Sequence, residues 1–130
     1  MKEGDLRHME ITQVYGQLLE IMAEERELFG RFSDQEGELT RIVQKRDWQA
    51  LETALAELDG LAQTIDEAEE RRHRCFLSLK REVGLAERAE FRLLLSRLPR
   101  QQREQLSRSH GELKGAVERV RSYTSSLARS

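Results

Sequence analysis

The sequence predicts an all-α protein: a long antiparallel helical hairpin, coiled-coil-like in its packing, with a short third helix and an amphipathic C-terminal helix packing on it. Three observations carry this expectation. Two runs of more than thirty residues place apolar side chains at alternating steps of three and four without a slip, the pattern of a helix seam. One proline, Pro99, stands among 130 residues rich in Leu, Glu, Arg and Ala, which favour helix. Between the two runs, the segment QKRDWQAL from Gln44 to Leu51 offers a fresh start. The Asp47 carboxylate there can accept from the unpaired N–H groups of Gln49 or Ala50.

The length fits one domain over residues 1–130. With 35% charged residues, 38% apolar residues and seven aromatics, thin seams are expected in place of a thick interior. The boundaries read as helices over 5–45, 48–83, 87–98 and 99–127.

In the first helix the seam is Ile11, Val14, Leu18, Ile21, Glu25, Leu28, Phe32, Gln35, Leu39 and Ile42, eight of them apolar. With Ile11 as heptad position a, the e positions Tyr15, Met22 and Phe29 are also apolar, and the series stops there. The apolar face is therefore wide in the N-terminal half and narrow toward the pivot. A wide face needs two neighbours and a narrow one needs one. Gly16, Ala23, Gly30 and Gly37 form a stripe of small residues. It reads either as a groove for close approach of a helix or as a solvated face carrying an intrinsic cost of about 1 kcal/mol per Gly. Ser33 to Glu36, SDQE, matches a capping box, but the seam keeps its phase across it, so a kink is expected and not a break.

In the second helix the seam is Leu51, Leu55, Leu58, Ala62, Ile65, Glu69, Arg72, Phe76, Leu79 and Val83, again eight apolar in ten. Folding about residues 46 and 47 sets Ile42 against Leu51 and Ile11 against Val83. The same register brings Glu25 level with Arg72, a partly buried pair expected to fix alignment more than to add stability. On that reading Arg72→Leu leaves the chain folded and loosens its register. Glu70 and His73 have the E-x-x-H spacing of di-metal bundles, but such sites need two motifs and further inward carboxylates, so no metal is expected. Cys75 beside the seam reads as a half-buried structural thiol.

Gly84 closes the second pattern. Phe91, Leu94, Leu95 and Leu98 share one face of a short helix, which Pro99 stops while starting the next at its first position. The last helix places Leu106, His110, Leu113, Val117, Val120, Thr124 and Leu127 at 4-3 steps, flanked by Ala116 and Tyr123. Its seam is poorer than the others and holds Gly111 and Gly115. It reads either as a third helix packed on the wide half of the hairpin or as a marginal helix that exchanges partners.

The net charge of −2 conceals an asymmetry. Residues 1–69 carry 7 basic and 17 acidic side chains, and residues 70–130 carry 15 and 7. A chain folded back on itself brings these halves together, so internal complementarity competes with an anionic partner. Nucleic acid is not expected, because no aromatic stacking platform accompanies the basic residues. No apolar run approaches the ~20 residues needed to cross a bilayer. The N-terminal MKEGDLRHME has no signal-peptide core, and one cysteine precludes an intrachain disulfide. A cytoplasmic location is the expectation. There is no Gly-rich phosphate loop, nucleophile–base pair or ligand cluster, so neither an enzyme nor a cofactor is expected.

Taken in order, a long seven-periodic helix, a pivot of R-D-x-x-A-L type (Arg46, Asp47, Ala50, Leu51), a second long Glu/Arg-rich helix, a short Leu-rich segment and an amphipathic last helix resemble the FlgN-type flagellar export chaperones. The resemblance spans about Val14 to Leu127. It implies a cytoplasmic chaperone of flagellar type III secretion that holds hook–filament junction subunits and delivers them to the export gate. It further implies that partner contact falls on the last helix, at Leu106, Leu113, Val117, Val120, Tyr123 and Leu127. The chain departs from the family in having no Asn, with Ser109, His110 and Gly111 where paired Asn often stand. The alternative is a non-enzymatic helical scaffold or adaptor coiled coil, such as another secretion-apparatus component. A homodimer through exposed apolar helix faces is compatible with either.

Overall fold

The computed structural model describes the backbone of residues 3–129 and the side chains of residues 10–120. Four helices follow in order: α1 Glu3–Lys45, α2 Trp48–Glu82, α3 Phe91–Ser96 and α4 Arg100–Arg129. Helices are the regular elements among the described residues, with no strand, and α1 and α2 form the antiparallel hairpin.

Only Arg46 and Asp47 join α1 to α2. The Arg46 amide donates to the Val43 carbonyl at 3.1 Å and the Asp47 amide to the Ile42 carbonyl at 3.3 Å, the paired bonds of a Schellman helix end. That end needs a left-handed residue, and Arg46 supplies it with φ 57°. Asp47 then caps α2, its Oδ1 accepting from the Ala50 N–H at 3.2 Å. One residue thus ends a helix and the next begins another, so the chain reverses within two residues.

The far end of α2 stops in the same way with the more usual residue. Gly84 has φ 78°. Its N–H donates to the Arg81 carbonyl, and the Leu85 N–H donates to the Lys80 carbonyl at 2.8 Å. The Lys80 ammonium also donates to the Glu87 carbonyl at 3.1 Å, folding the connection back over the helix end. These turns take up residues expected to be helical, and α3 is shorter than the 87–98 predicted. Glu90 precedes it with extended backbone and no side-chain cap. The apolar residues of this segment pack as read from the sequence: Leu94 of α3 and Leu98 just beyond it are buried, and Phe91 and Leu95 pack against the core. Pro99 stands just before α4, its carbonyl accepting from the Arg103 N–H.

Helix α4 runs parallel to α1. The Tyr15 hydroxyl proton is shared between the Gln102 carbonyl and the Gln105 side-chain oxygen, each at 2.9 Å, and one turn after another leads to an Arg26–Glu112 ion pair. α1 packs on both α2 and α4, whereas α2 and α4 barely approach each other. The wide half of α1 therefore has its two neighbours. Tyr15, Met22 and Phe29 are all buried, and Tyr15 fixes this column as the α4 side. Glu36, the next member of that column, is buried as well, and α1 continues through the SDQE segment as one helix.

The seam of α2 is rotated from the predicted one. Leu58, Ile65 and Leu79 are buried as expected, but Ala54, Ala68 and Cys75 are buried with them in place of the expected Leu55, Ala62 and Glu69; Phe76 and Val83, also expected, pack half-buried against the core, as Leu61 does. Both sets keep 4-3 spacing, so periodicity alone could not choose between them. The small side chains of Ala54, Ala68 and Cys75 let α2 approach α1 closely, while Phe76 meets Phe91 of α3 and Leu55 is exposed. The Gly16–Gly37 stripe receives no helix: a Cβ built on Gly16, Gly30 or Gly37 would meet nothing within 4 Å.

Candidate functional site

Glu25 and Arg72 come together where the three long helices share one level. Glu25 has no exposed surface, and its Oε1 lies 2.7 Å from Arg72 Nε. The two atoms do not meet hydrogen-bond alignment, and Glu25 Oε2 has no hydrogen-bond partner among the described residues. The contact is thus a buried charge pair with one oxygen left over. Burial raises the Glu25 carboxyl above its ordinary pKa, and Arg72 pulls it part of the way back. Complete burial overturns the expected effect of Arg72→Leu. It strands a carboxylate that water cannot reach, so the substitution costs stability and does not merely loosen register.

An adjacent pair, Arg71 and Glu24, is bidentate at 2.9 and 3.3 Å and lies at the surface. Both pairs join the acidic first helix to the basic end of the second, so part of the charge asymmetry is satisfied internally.

The last helix divides its predicted contact residues. Leu106 and Leu113 are buried and Val117 and Val120 are half-buried. The side chains of Tyr123 and Leu127 lie outside the described residues. Leu106, Leu113 and Ala116 belong to the shared core, so this part of α4 is already engaged in the folded chain. His110 is half-buried and stacks on Phe91, ring centroids 4.3 Å apart, and Phe91 in turn meets Phe76 edge-on at 5.8 Å. Burial holds the His110 pKa below its ordinary value, with Arg72 and Lys114 adding to the effect.

Because α2 and α4 both lie on α1 without closing on each other, a cleft opens between them. Arg72, His73, Phe76, Lys80, Phe91 and His110 line a recess of about 240 Å³ at its α3 end. A second recess of about 340 Å³ adjoins it along α4, past Leu113, Lys114 and Val117. Such a cleft can bind, but it holds no paired nucleophile and base. Among the described residues no three His, Cys, Asp or Glu side chains are grouped to hold a metal, and Glu70 and His73 of the E-x-x-H spacing are exposed. Cys75 is buried, donates to the Val14 carbonyl at 3.4 Å, and has a pKa raised by burial, the state of an unreactive thiol. No described helix is long and apolar enough to cross a membrane.

Comparison with known proteins finds no matching family model, no matching curated protein and no matching solved structure.

Sequence reasoning located the pair at Glu25 and Arg72 and the faces of α3 and α4. It missed the cleft, because periodicity marks a face as apolar without saying which helix covers it. It also missed Glu36, whose place in the column of Tyr15, Met22 and Phe29 is the one signal of its burial.

Proposed function

We propose that the chain is a non-enzymatic chaperone that holds an amphipathic helical segment of another protein through its C-terminal helix. In the setting that its FlgN-type resemblance implies, the segment belongs to a hook–filament junction subunit, the complex forms in the cytoplasm, and delivery is to the export gate. The observation that supports this most is the divided surface of α4. Leu106 and Leu113 anchor the helix on α1, while Val117 stays half-buried beside an open, partly apolar cleft. A groove between helices receives an amphipathic helix by its apolar face, and covering that face keeps an exported subunit from aggregating. The test is to mix the full chain with the terminal helical segment of a junction subunit and follow light scattering and co-elution. Suppressed scattering with a stable complex supports the proposal, and unchanged aggregation with no complex contradicts it.

A helical scaffold is the second reading, favoured by the burial of Leu106 and Ala116 against α1. Deleting residues 100–130 lowers stability on both readings, because Tyr15, Met22 and Phe29 lose their cover. Partner capture separates them: the chaperone loses it with α4, and the scaffold has none to lose.

A further inference from the structure

We infer that the α2–α4 cleft is a docking groove for a partner helix that carries acidic side chains along the flanks of its apolar face. This rests on the capture reading above and names the site and the chemistry of the captured segment.

The geometry is that of a bundle with one helix missing. α2 and α4, both packed on α1, form the walls, Arg72 and His110 line both recesses, and Phe91 of α3 closes one end. A fourth helix is the usual completion of three that share a core. The seven-residue column of α2 that holds Phe76 passes Glu69 and Ala62 before it reaches Leu55 and Trp48, exposed 49% and 59%. Leu55 is a predicted seam residue that the rotation of α2 left uncovered.

Charge specifies the occupant. Lys80 stands on the α2 wall and Lys114 on the α4 wall, and neither has a carboxylate within ion-pair distance among the described residues. Two cations on the other helix boundaries are matched, Arg26 by Glu112 and Arg71 by Glu24. Arg72, also on the α2 wall, is held by Glu25. His110 is held toward its neutral form, and Glu118 is the anion of the lining. A docked helix with Glu or Asp on both flanks would place carboxylates beside Lys80 and Lys114 while its apolar ridge meets Phe76, Phe91 and Val117. Charge arranged this way selects partners more than it adds affinity.

The test uses two synthetic amphipathic helices of about 21 residues, ~32 Å long at 1.5 Å per residue. One carries Leu on the seam and Glu on both flanks, and its twin carries Lys in place of Glu. Each is titrated against the full chain by fluorescence anisotropy. Binding of the Glu helix with the Lys twin weaker by roughly tenfold is expected, and Lys80→Glu with Lys114→Glu should invert that order. Equal binding of the twins, or an unchanged order in the double variant with its helical circular dichroism intact, overturns the inference. If the double variant loses helicity, Lys114→Glu alone decides, since that ammonium supports no ion pair: unchanged affinity for the Glu helix overturns the site. A free chain that sediments as a dimer and is not dissociated by the Glu helix also overturns it, by giving the cleft to a second copy. A junction-subunit segment captured equally well by the charge-reversed chain would remove the cleft and leave the capture reading intact. An acidic helix bound there with no subunit captured would do the reverse.

Discussion

Glu25 is where a single side chain has the most leverage. It is fully buried, and Arg72 is the cation paired with it. Removing one member of such a pair costs about 3–5 kcal/mol, whereas replacing both by apolar groups is near neutral. Denaturant titration of Arg72→Leu should therefore show a loss of that size, and Glu25→Leu added to it should recover most of the loss. The pH dependence has two opposed contributions at this level. The Glu25 pKa is raised by burial and only partly lowered by Arg72. A raised carboxyl favours the folded state once protonated, so this contribution is complete at low pH and is lost as pH rises through the folded-state pKa. The His110 pKa is lowered by burial, Arg72 and Lys114. Its contribution is complete above the ordinary histidine value of about 6.5 and is lost as pH falls through the depressed one. Thermal melts across mildly acidic pH check both signs. Glu25→Gln should remove the gain on acidification, and His110→Gln should remove the loss. Loss of the Tyr15 hydroxyl in Tyr15→Phe should cost about 1 kcal/mol and act on α4, because its partners are Gln102 and Gln105.

At the scale of elements, the helix ends and the glycines of α4 decide how firmly each piece is set. Arg46 holds left-handed backbone, which costs an L-residue about 1 kcal/mol or more. Arg46→Gly should raise stability by about that amount, while Asp47→Ala removes the α2 cap and should lower it by about 1 kcal/mol. In α4, a Cβ on Gly111 or Gly115 meets nothing within 4 Å. Gly111→Ala and Gly115→Ala should each stabilise the protein by up to about 1 kcal/mol, read as a higher melting temperature. The two long helices, the two-residue reversal at Arg46 and Asp47 and the apolar face of α3 were legible from the sequence, because period, cap and turn chemistry are local. The rotation of the α2 seam was not. The columns of Ala54 and of Leu55 are both mainly apolar at seven-residue spacing, the second broken at Glu69, and close approach of α1 favours the smaller side chains of the first. The length of α3 was also illegible, since the turn over Gly84 and the Lys80–Glu87 bond consume residues with good helix propensity.

At the scale of the whole molecule, the organising fact is that α1 is shared. Its wide half carries α2 on one flank and α4 on the other, and the acidic-to-basic division of the chain is partly matched across α1 and α2 at Glu24–Arg71 and Glu25–Arg72. The sequence supplied the width of that face and the amphipathicity of α4. It could not supply the open side between α2 and α4, which depends on the angular positions of helices around a common axis. The open side places a captured helix beside α4, with Leu106 and Leu113 remaining on α1. The most direct measurement is capture by a chain whose α4 cannot leave. Arg26→Cys and Glu112→Cys replace the ion pair that joins α1 to α4, and with Cys75→Ser a short bis-maleimide then ties the two helices covalently. Binding of the acidic amphipathic helix with affinity unchanged by the tie is the predicted result. Binding that the tie abolishes, and that returns when the linker is omitted, would contradict it by showing that α4 must vacate α1 before a partner can bind.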